Sequence, residues 1–201
     1  MISVAILAGG LSSRMGFNKA LAPWHGRPLI EHILHRVKAL SDDVFIVAKS
    51  PEIFNFTGVR VVKDVVHRYS SLVGIYSALR EAYSHHCLVV ACDMPFLNLD
   101  LLRYLAALAP HYDVVMPLLK RGPEPLHAVY SKNCLGPIEK LLAEEEDKIL
   151  LFLPAVRVRY VEEDIIRLFD PALSSFVNIN TPEELEEVRK KEEVKRWLPS
   201  Q

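Results

Sequence analysis

Short apolar segments alternate with longer amphipathic stretches along the chain. Six segments are apolar almost throughout: 3–7, 44–47, 59–62, 88–91, 112–116 and 126–130. A strand with one solvated face would alternate apolar and polar residues, whereas these runs do not. The pattern therefore predicts strands that are buried on both faces, as in a parallel sheet.

Apolar residues at helical spacing follow Pro28, Ser70 and Asn98, and they predict three helices. Pro28 suits a first helical turn, one serine of the pair Ser70-Ser71 is available to cap the second helix, and Asn98 can cap the third. The three apolar stripes are Leu29, Ile30, Ile33, Leu34, Val37 and Leu40; Leu72, Ile75, Tyr76, Leu79 and Tyr83; and Leu101, Leu102, Leu105 and Leu108. A fourth helix is predicted at about 181–196, because its start has the form of a capping box.

Alternation of strands and helices from end to end predicts an α/β fold. We expect a Rossmann-like three-layer sandwich, with a mostly parallel central sheet and helices on both faces. At 201 residues the chain is expected to form a single domain, 1–201.

Composition excludes several classes of protein. Lys plus Arg is 24 and Asp plus Glu is 25, and this balance argues against binding to nucleic acid through a broad basic face. No apolar run approaches the roughly 18 residues of a membrane helix, and the N-terminus does not look like a signal peptide. We therefore expect a cytoplasmic protein that binds neither nucleic acid nor membranes.

The three cysteines are expected to be reduced core thiols. Cys87 and Cys92 lie five residues apart in one apolar run, so a strand would place them on opposite faces, where they cannot bind one metal together.

In an open α/β sheet, ligands bind beyond the carboxyl ends of the strands. The first strand is followed by a glycine pair, Gly9-Gly10, and then by Arg14 and Lys19. Adjacent glycines let backbone amides approach a ligand, and the two cations suit a polyphosphate. The segment matches neither a Walker A loop nor G-x-G-x-x-G, and the alternative is a glycine turn with solvated basic residues.

Two acidic residues follow later strands. Asp93 comes directly after the strand at 88–91 and is a candidate ligand of Mg²⁺, which prefers oxygen. The alternative for Asp93 is a structural turn. Asp64, after the strand at 59–62, could help to hold a nucleotide or could simply end its strand. His127 is a candidate acceptor-binding residue or, equally, a structural one. No Ser-His-Asp or Cys-His arrangement supports covalent catalysis.

Four segments resemble one known family. They are 7–19 (Leu-Ala-Gly-Gly-x-Ser-x-Arg-Met-Gly-x-x-Lys), 91–96 (Ala-Cys-Asp-Met-Pro-Phe), 124–128 (Glu-Pro-Leu-His-Ala) and 177–185 (Val-Asn-Ile-Asn-Thr-Pro-Glu-Glu-Leu). The first resembles the signature of the nucleotidyltransferase superfamily, and the set of four in order resembles the molybdenum cofactor guanylyltransferase (MobA) family. That resemblance implies Mg²⁺-dependent transfer of GMP from GTP to molybdopterin or molybdenum cofactor, releasing pyrophosphate. It also implies transient contacts with molybdenum-insertion proteins or molybdoenzymes.

The resemblance assigns roles by position. It places nucleotide-binding residues at Leu7, Ala8, Gly9, Gly10, Lys19, Asp64 and Asp93. It places acceptor-binding residues at Pro125, His127, Asn178 and Asn180, the two asparagines near the pterin or the metal. On charge grounds, Arg14 and Lys19 would neutralise the triphosphate and Asp93 would hold Mg²⁺, so these three are the candidate catalytic residues.

The chain departs from the family at two places that bear on base specificity. The second strand ends in Val47-Ala48-Lys49, whereas some members have a nucleotide-contacting asparagine at this strand end. Residues 70–74 read Ser-Ser-Leu-Val-Gly instead of Gly-Pro-Leu-Ala-Gly. Three alternatives stay open: transfer from CTP, transfer to a sugar phosphate, or a non-catalytic module that binds and delivers the nucleotide or cofactor.

Overall fold

A computed structural model describes residues 1–9, 18–64, 70–181 and 183–188. Eight strands in these residues form one sheet, and two more form a short hairpin. The strands are β1 Ser3–Leu7, β2 Pro23–Trp24, β3 Arg27–Pro28, β4 Val44–Ala48, β5 Arg60–Lys63, β6 His86–Ala91, β7 Val114–Leu119, β8 Gly122–Pro123, β9 His127–Ser131 and β10 Val158–Glu162. The helices are α1 Leu29–Val37, α2 Ser71–Glu81, α3 Leu99–Leu108, α4 Leu135–Ala143 and α5 Glu163–Ile166, and residues 183–188 are also helical.

The main sheet has the strand order β10-β7-β9-β6-β1-β4-β5, with β8 paired to β7. Strands β5, β4, β1 and β6 are mutually parallel, and β10 is parallel to β7. Strand β9 runs antiparallel to both β6 and β7. The expected mostly parallel sheet is therefore confirmed, with β9 and the short β8 as its antiparallel members.

The strand order reverses on the two sides of β1. Strand β4 pairs with one edge of β1 and β6 with the other, and Leu7 is level with both Val47 and Ala91. The carboxyl ends of three parallel strands therefore form one row, and the chain segments beyond them meet above it. This is the place where open α/β sheets bind ligands.

Helices cover both faces of the sheet, as the sequence pattern predicts. Helices α1 and α3 pack on one face with Val4 and Ile6, while α2 and α4 pack on the other with Ala5. Ser70 and Asn98 cap α2 and α3 by accepting hydrogen bonds from the backbone amides of Leu72 and Leu101. Within the described part of the chain, no helix has the length and apolar character needed to cross a bilayer.

The three cysteines are free and buried, and Cys87 and Cys92 pack into the cores on opposite faces of the sheet, as expected. Tyr83 is different: the sequence places it in the stripe of α2, but that helix ends at Glu81 and the Tyr83 side chain is 78% exposed. The Arg60 guanidinium lies 4.5 Å from the centre of its ring, a surface cation–π contact.

Candidate functional site

An open cleft of about 290 Å³ lies over the carboxyl ends of β1, β4 and β6. Its walls come from the segments just beyond these strands, from the start of α2 and from the entry to β9. The lining residues are Leu7, Ala8, Gly9, Asn18, Lys19, Val47, Asp64, Ser70, Ser71, Gly74, Ala91, Cys92, Asp93 and Leu126. Lys19 and Asp93 mark one end, the Lys19 end, and Gly9 and Asp64 mark the other, the Asp64 end.

At the Lys19 end, one ammonium group lies between two oxygen acceptors. Lys19 Nζ donates a hydrogen bond to Asn180 Oδ1 at 2.8 Å and lies 3.4 Å from Asp93 Oδ2. The Lys19 and Asp93 side chains are 18% and 21% exposed, so both are partly desolvated but still reachable from the cleft. Asn18 fixes the turn that carries Lys19, because its Oδ1 accepts a hydrogen bond from the Ala20 amide at 3.0 Å.

The segment 175–181 brings Asn180 to this end of the cleft. The Ile179 amide donates to the backbone oxygen of Asp93 at 3.0 Å. The Asn180 backbone amide donates a hydrogen bond to Glu184 Oε2 at 2.6 Å, and the Glu184 backbone amide donates to Thr181 Oγ1 at 3.1 Å. A helix-capping arrangement therefore directly follows Asn180.

Further back, this segment is tied to the loop before α3. The buried Ser175 hydroxyl accepts a hydrogen bond from the Asn98 backbone amide at 3.0 Å. The Asp170 carboxylate accepts hydrogen bonds from the backbone amides of Ser174 and Ser175. Asn180 is therefore held by contacts between residues that are distant in sequence.

At the Asp64 end, the backbone approaches a carboxylate closely. A Cβ atom on Gly9 would lie 2.9 Å from Asp64 Oδ2, so any side chain at residue 9 would force the Asp64 carboxylate to shift. The same Cβ would lie 4.0 Å from Lys49 Cγ, so Lys49 also borders this end. Asp64 Oδ1 is buried and has no hydrogen-bond partner among the described residues, which leaves it able to accept from a ligand.

Burial raises the pKa of Asp64 above its ordinary value, while a hydrogen bond with Ser77 and the charge of Lys49 act in the opposite direction. A carboxylate in a cleft whose charged form is destabilised by burial is typical of a binding residue. Nearby, Gly74 lets α2 pack against the end of β1, since a Cβ there would lie 3.0 Å from Leu7 Cδ1. Gly74 thus keeps its packing role although the residues before it depart from the family pattern.

We expect Asp64→Asn to stabilise the fold at neutral pH by about 1 kcal/mol, or about 2–4 °C in melting temperature. The folded pKa lies above the unfolded value of 3.8, so the folded state favours the proton and the cost of the charge appears as the pH rises through the folded pKa. Melting curves at pH 7 and below pH 4 measure this, with the exposed Asp42→Asn as control. An unchanged or lower melting temperature at pH 7 would contradict it.

His127 does not line the cleft. It lies at the start of β9, is 0% exposed, and its ring centre is 4.8 Å from that of Phe176. Neither ring nitrogen has a hydrogen-bond partner among the described residues. Its neighbour Leu126 does reach the cleft, while the Pro125 carbonyl accepts a hydrogen bond from the Tyr130 hydroxyl at 2.7 Å. In this conformation His127 can influence a ligand only through its neighbours.

We expect His127→Leu to make the fold less sensitive to acid. Burial lowers the pKa of His127 to about 4, and the charge of Asp170 opposes this only partly. Because the folded pKa is below the unfolded value of 6.5, stability is lost as the pH falls from 6.5 through about 4, by about 3 kcal/mol in all.

Chemical denaturation of the wild-type protein and of His127→Leu at pH 7 and pH 4 measures this effect. The difference in unfolding free energy between the two proteins should change by about 3 kcal/mol between these pH values. Comparing the two removes the contribution of other acid-sensitive groups, such as Asp113, whose pKa is held low against burial by hydrogen bonds from Asn133 and Arg157. If the unfolding free energies of the two proteins fall equally between pH 7 and pH 4, His127 is not the group responsible for the loss of stability in acid.

The structure brings together most of the predicted site residues that it describes. Leu7, Ala8, Gly9, Lys19, Asp64 and Asp93 all line one cleft, and Asn180 contacts Lys19. Asn178 is exposed and Pro125 is half-buried, both outside the cleft lining. Gly10 and Arg14 lie outside the described residues, as do the ends of the predicted helix at 181–196, namely residue 182 and residues 189–196.

Several lining residues are not among the predicted site residues. They are Asn18, Val47, Ser70, Ser71, Gly74, Ala91, Cys92 and Leu126. Lys49, which borders the Asp64 end, departs from the family pattern and has no predicted role. The rule that ligands bind beyond the carboxyl ends of strands could have identified Val47 and Lys49, because both stand at the carboxyl end of β4.

The oxygen donors at the Lys19 end suit a hard cation such as Mg²⁺. Asp93 offers a carboxylate and Asn180 an amide oxygen, both on one partly exposed surface. In the described part of the chain, no three His, Cys, Asp or Glu side chains come together to hold a metal. This donor set fits a cation that takes its remaining ligands from water and from a bound phosphate.

Comparison with known proteins gives a consistent result. The family model for the MobA-like NTP transferase domain matches residues 4–158. A Clostridium perfringens (strain 13 / Type A) protein named "Probable molybdenum cofactor guanylyltransferase" is 38% identical over 197 residues, covering 96% of this chain and 98% of the relative. The molybdenum cofactor guanylyltransferase of Desulfosudis oleivorans is 40% identical over 183 residues, covering 90% and 91%.

Among solved structures, the crystal structure of molybdopterin-guanine dinucleotide biosynthesis protein A from Archaeoglobus fulgidus superposes with a TM-score of 0.86. It is 29% identical, and the match covers 96% of this chain and 100% of that chain. A nucleotidyl transferase from Methanothermobacter thermautotrophicus superposes with a TM-score of 0.69 at 22% identity, a likeness of fold.

Proposed function

Because the chain belongs to the MobA-like NTP transferase family, we propose that it transfers GMP from GTP to molybdopterin or the molybdenum cofactor. The products would be the molybdopterin guanine dinucleotide cofactor and pyrophosphate, and the reaction would depend on Mg²⁺. The observation that carries the proposal is the convergence of Lys19, Asp93 and Asn180 at one end of a cleft whose other end holds Asp64.

The cleft suits a nucleoside triphosphate from end to end. The ammonium of Lys19 and, by its place in the sequence, the guanidinium of Arg14 would neutralise the triphosphate. The backbone of residues 7–10 (Leu7, Ala8, Gly9 and Gly10) would contact the nucleotide. Asp64 would accept a hydrogen bond from the nucleoside through Oδ1, which has no partner among the residues that the structure describes. In this role Asp64→Asn weakens nucleotide binding while it stabilises the fold, and opposite signs of this kind distinguish a binding residue from a structural one.

The chemistry is a displacement at the α-phosphate. A phosphate monoester on the pterin attacks in line, a bond to the α-phosphorus forms, and the bond to the pyrophosphate leaving group breaks. The nucleophile is already ionised at neutral pH, so the protein needs no dedicated general base. It must instead hold two anions together, and Lys19 and Arg14 would stabilise the leaving pyrophosphate. Mg²⁺ bound at Asp93 would neutralise charge on the phosphate oxygens.

The acceptor is proposed to enter beside β9 and the segment 175–181, where Leu126 lines the cleft. Asn178 and Asn180 would lie on this side, and Pro125 and His127 would shape it from behind. Since the product is a cofactor for other proteins, transient contacts with molybdenum-insertion proteins or molybdoenzymes would follow from its transfer.

The test is a panel of GTP, CTP, ATP and UTP, each with no acceptor, with molybdopterin and with a sugar phosphate, scored by pyrophosphate release in the presence of Mg²⁺. We expect release with GTP and molybdopterin together. Release with CTP would instead favour cytidylyl transfer, and release only with a sugar phosphate as acceptor would change the substrate class. Calorimetric binding of GTP with no pyrophosphate under any condition would favour a delivery module and overturn the proposal.

A further inference from the structure

We propose that Lys19 occupies the cation site formed by Asp93 and Asn180 when no nucleotide is bound, so that a divalent cation enters only together with a triphosphate. This inference rests on the proposed function, because it takes the cleft to be a triphosphate site. It adds an order of events that neither the family nor the reaction dictates.

The geometry is that of a cation held by two oxygens. Lys19 Nζ is 2.8 Å from Asn180 Oδ1 and 3.4 Å from Asp93 Oδ2. These are the carboxylate and amide oxygens that would ligate a hard divalent ion at this point. An ammonium group and a divalent cation cannot share the space between them, because like charges a few ångströms apart repel strongly.

The backbone at Asp93 and at Asn180 is held in place independently of Lys19. The Ile179 amide donates to the Asp93 backbone oxygen, and the Asn180 amide donates to Glu184 Oε2. Removal of the lysine side chain therefore leaves both backbone tethers intact. Lys19 itself sits on a long flexible stem, so its ammonium can move to a phosphate without any change in the fold.

A bound triphosphate would reverse the occupancy. Its negative charges offer Lys19 a stronger partner than one carboxylate and one amide, and they bring further oxygen ligands for the divalent ion. The lysine would turn to the phosphates and leave Asp93 and Asn180 to the metal. Free metal alone would have to displace Lys19 without that compensation and would bind weakly.

The experiment measures Mn²⁺ affinity without nucleotide, by electron paramagnetic resonance of free Mn²⁺, in wild-type protein and in Lys19→Met. We expect Lys19→Met to bind Mn²⁺ more tightly by about tenfold or more, since a unit charge close to a divalent ion is removed. Lys49→Met is the matched control: it removes the same charge at the Asp64 end, and we expect its Mn²⁺ affinity to stay within about twofold at about 0.15 M ionic strength.

A second pair of variants tests the role of Asn180 in the Lys19→Met background. Asn180→Asp should tighten Mn²⁺ binding further, and Asn180→Ala should weaken it several-fold. Circular dichroism and melting curves confirm that each variant is folded. An Mn²⁺ affinity that is unchanged or weaker in Lys19→Met, or binding too weak to measure in both it and Lys19→Met/Asn180→Asp, would overturn the inference.

These results separate the inference from the proposed function. Pyrophosphate release by the wild-type protein tests the reaction, and it does not depend on whether Lys19 competes with metal. If the wild-type protein transfers GMP but Lys19→Met fails to gain Mn²⁺ affinity, only the inference fails. If Lys19→Met gains affinity but no acceptor yields pyrophosphate, the proposed reaction fails and the exchange of cations stands.

Discussion

Lys19→Ala is expected to lower kcat/KM for pyrophosphate release by about two to three orders of magnitude while the fold persists. A preorganised charge aimed at a developing negative charge is typically worth about 3–4 kcal/mol in the transition state. Lys19 would supply such a charge once a triphosphate is bound, because its ammonium lies at the end of the cleft where the phosphates are expected. The same group would stabilise the pyrophosphate as it leaves.

The comparison variant is Lys38→Ala, an exposed lysine just after α1 and outside the cleft, which should keep wild-type turnover. The melting temperature of Lys19→Ala should stay close to that of the wild type, because a partly exposed ion pair contributes about 1 kcal/mol or less. Steady-state kinetics with saturating Mg²⁺ give the result. Near-normal turnover in a folded Lys19→Ala protein would remove Lys19 from the mechanism.

The strand-end residues of the site can be predicted from the sequence because of a simple regularity. The carboxyl ends of adjacent parallel strands lie at the same edge of the sheet, so apolar runs that end near Gly9, Asp64 and Asp93 predict one shared site. The register bears this out, with Leu7 level with both Val47 and Ala91. The site residues that strand ends alone predict are the ones that stand one or two positions beyond a buried strand, whereas Arg14 and Lys19 are predicted from their charge.

The position of Asn180 has a different origin, which no local pattern reports. Its segment reaches the cleft through hydrogen bonds to distant residues, from Ile179 to Asp93 and between Ser175 and Asn98. The contact with Lys19 spans 161 positions in sequence. The resemblance places Asn180 near the pterin or the metal, but only coordinates reveal that its partner in this chain is Lys19.

Strand β10 and helix α4 are among the elements that the sequence pattern does not predict, because each has a weak local signal. Strand β10 lies at the edge of the sheet, and only Val161 of its five residues is buried, so it has no continuous apolar run. Helix α4 begins with Leu135, Gly136 and Pro137, and the glycine and proline weaken its helical signal although Ile138 is fully buried. In both cases tertiary packing decides what local preference does not.

Asp93→Asn is expected to abolish metal-dependent transfer, with residual activity at least about two orders of magnitude below the wild type. The substitution keeps the shape of the side chain but removes the negative charge that attracts a divalent cation. It should not disturb the fold, because the tether to Ile179 uses the backbone oxygen of residue 93. A magnesium titration of pyrophosphate release measures the effect, and Asp100→Asn, at an exposed position in α3, is the control.

Full activity of Asp93→Asn across the magnesium titration would show that this carboxylate is not the ligand. The double variant Lys19→Ala/Asp93→Asn sharpens the test. Both residues are proposed to act on the same triphosphate, and Lys19 Nζ lies 3.4 Å from Asp93 Oδ2, so their effects should be far from additive. If the two side chains serve one charge-stabilising unit, the double variant should be about as slow as the slower single variant. Fully additive losses would mean that Lys19 and Asp93 act on separate steps.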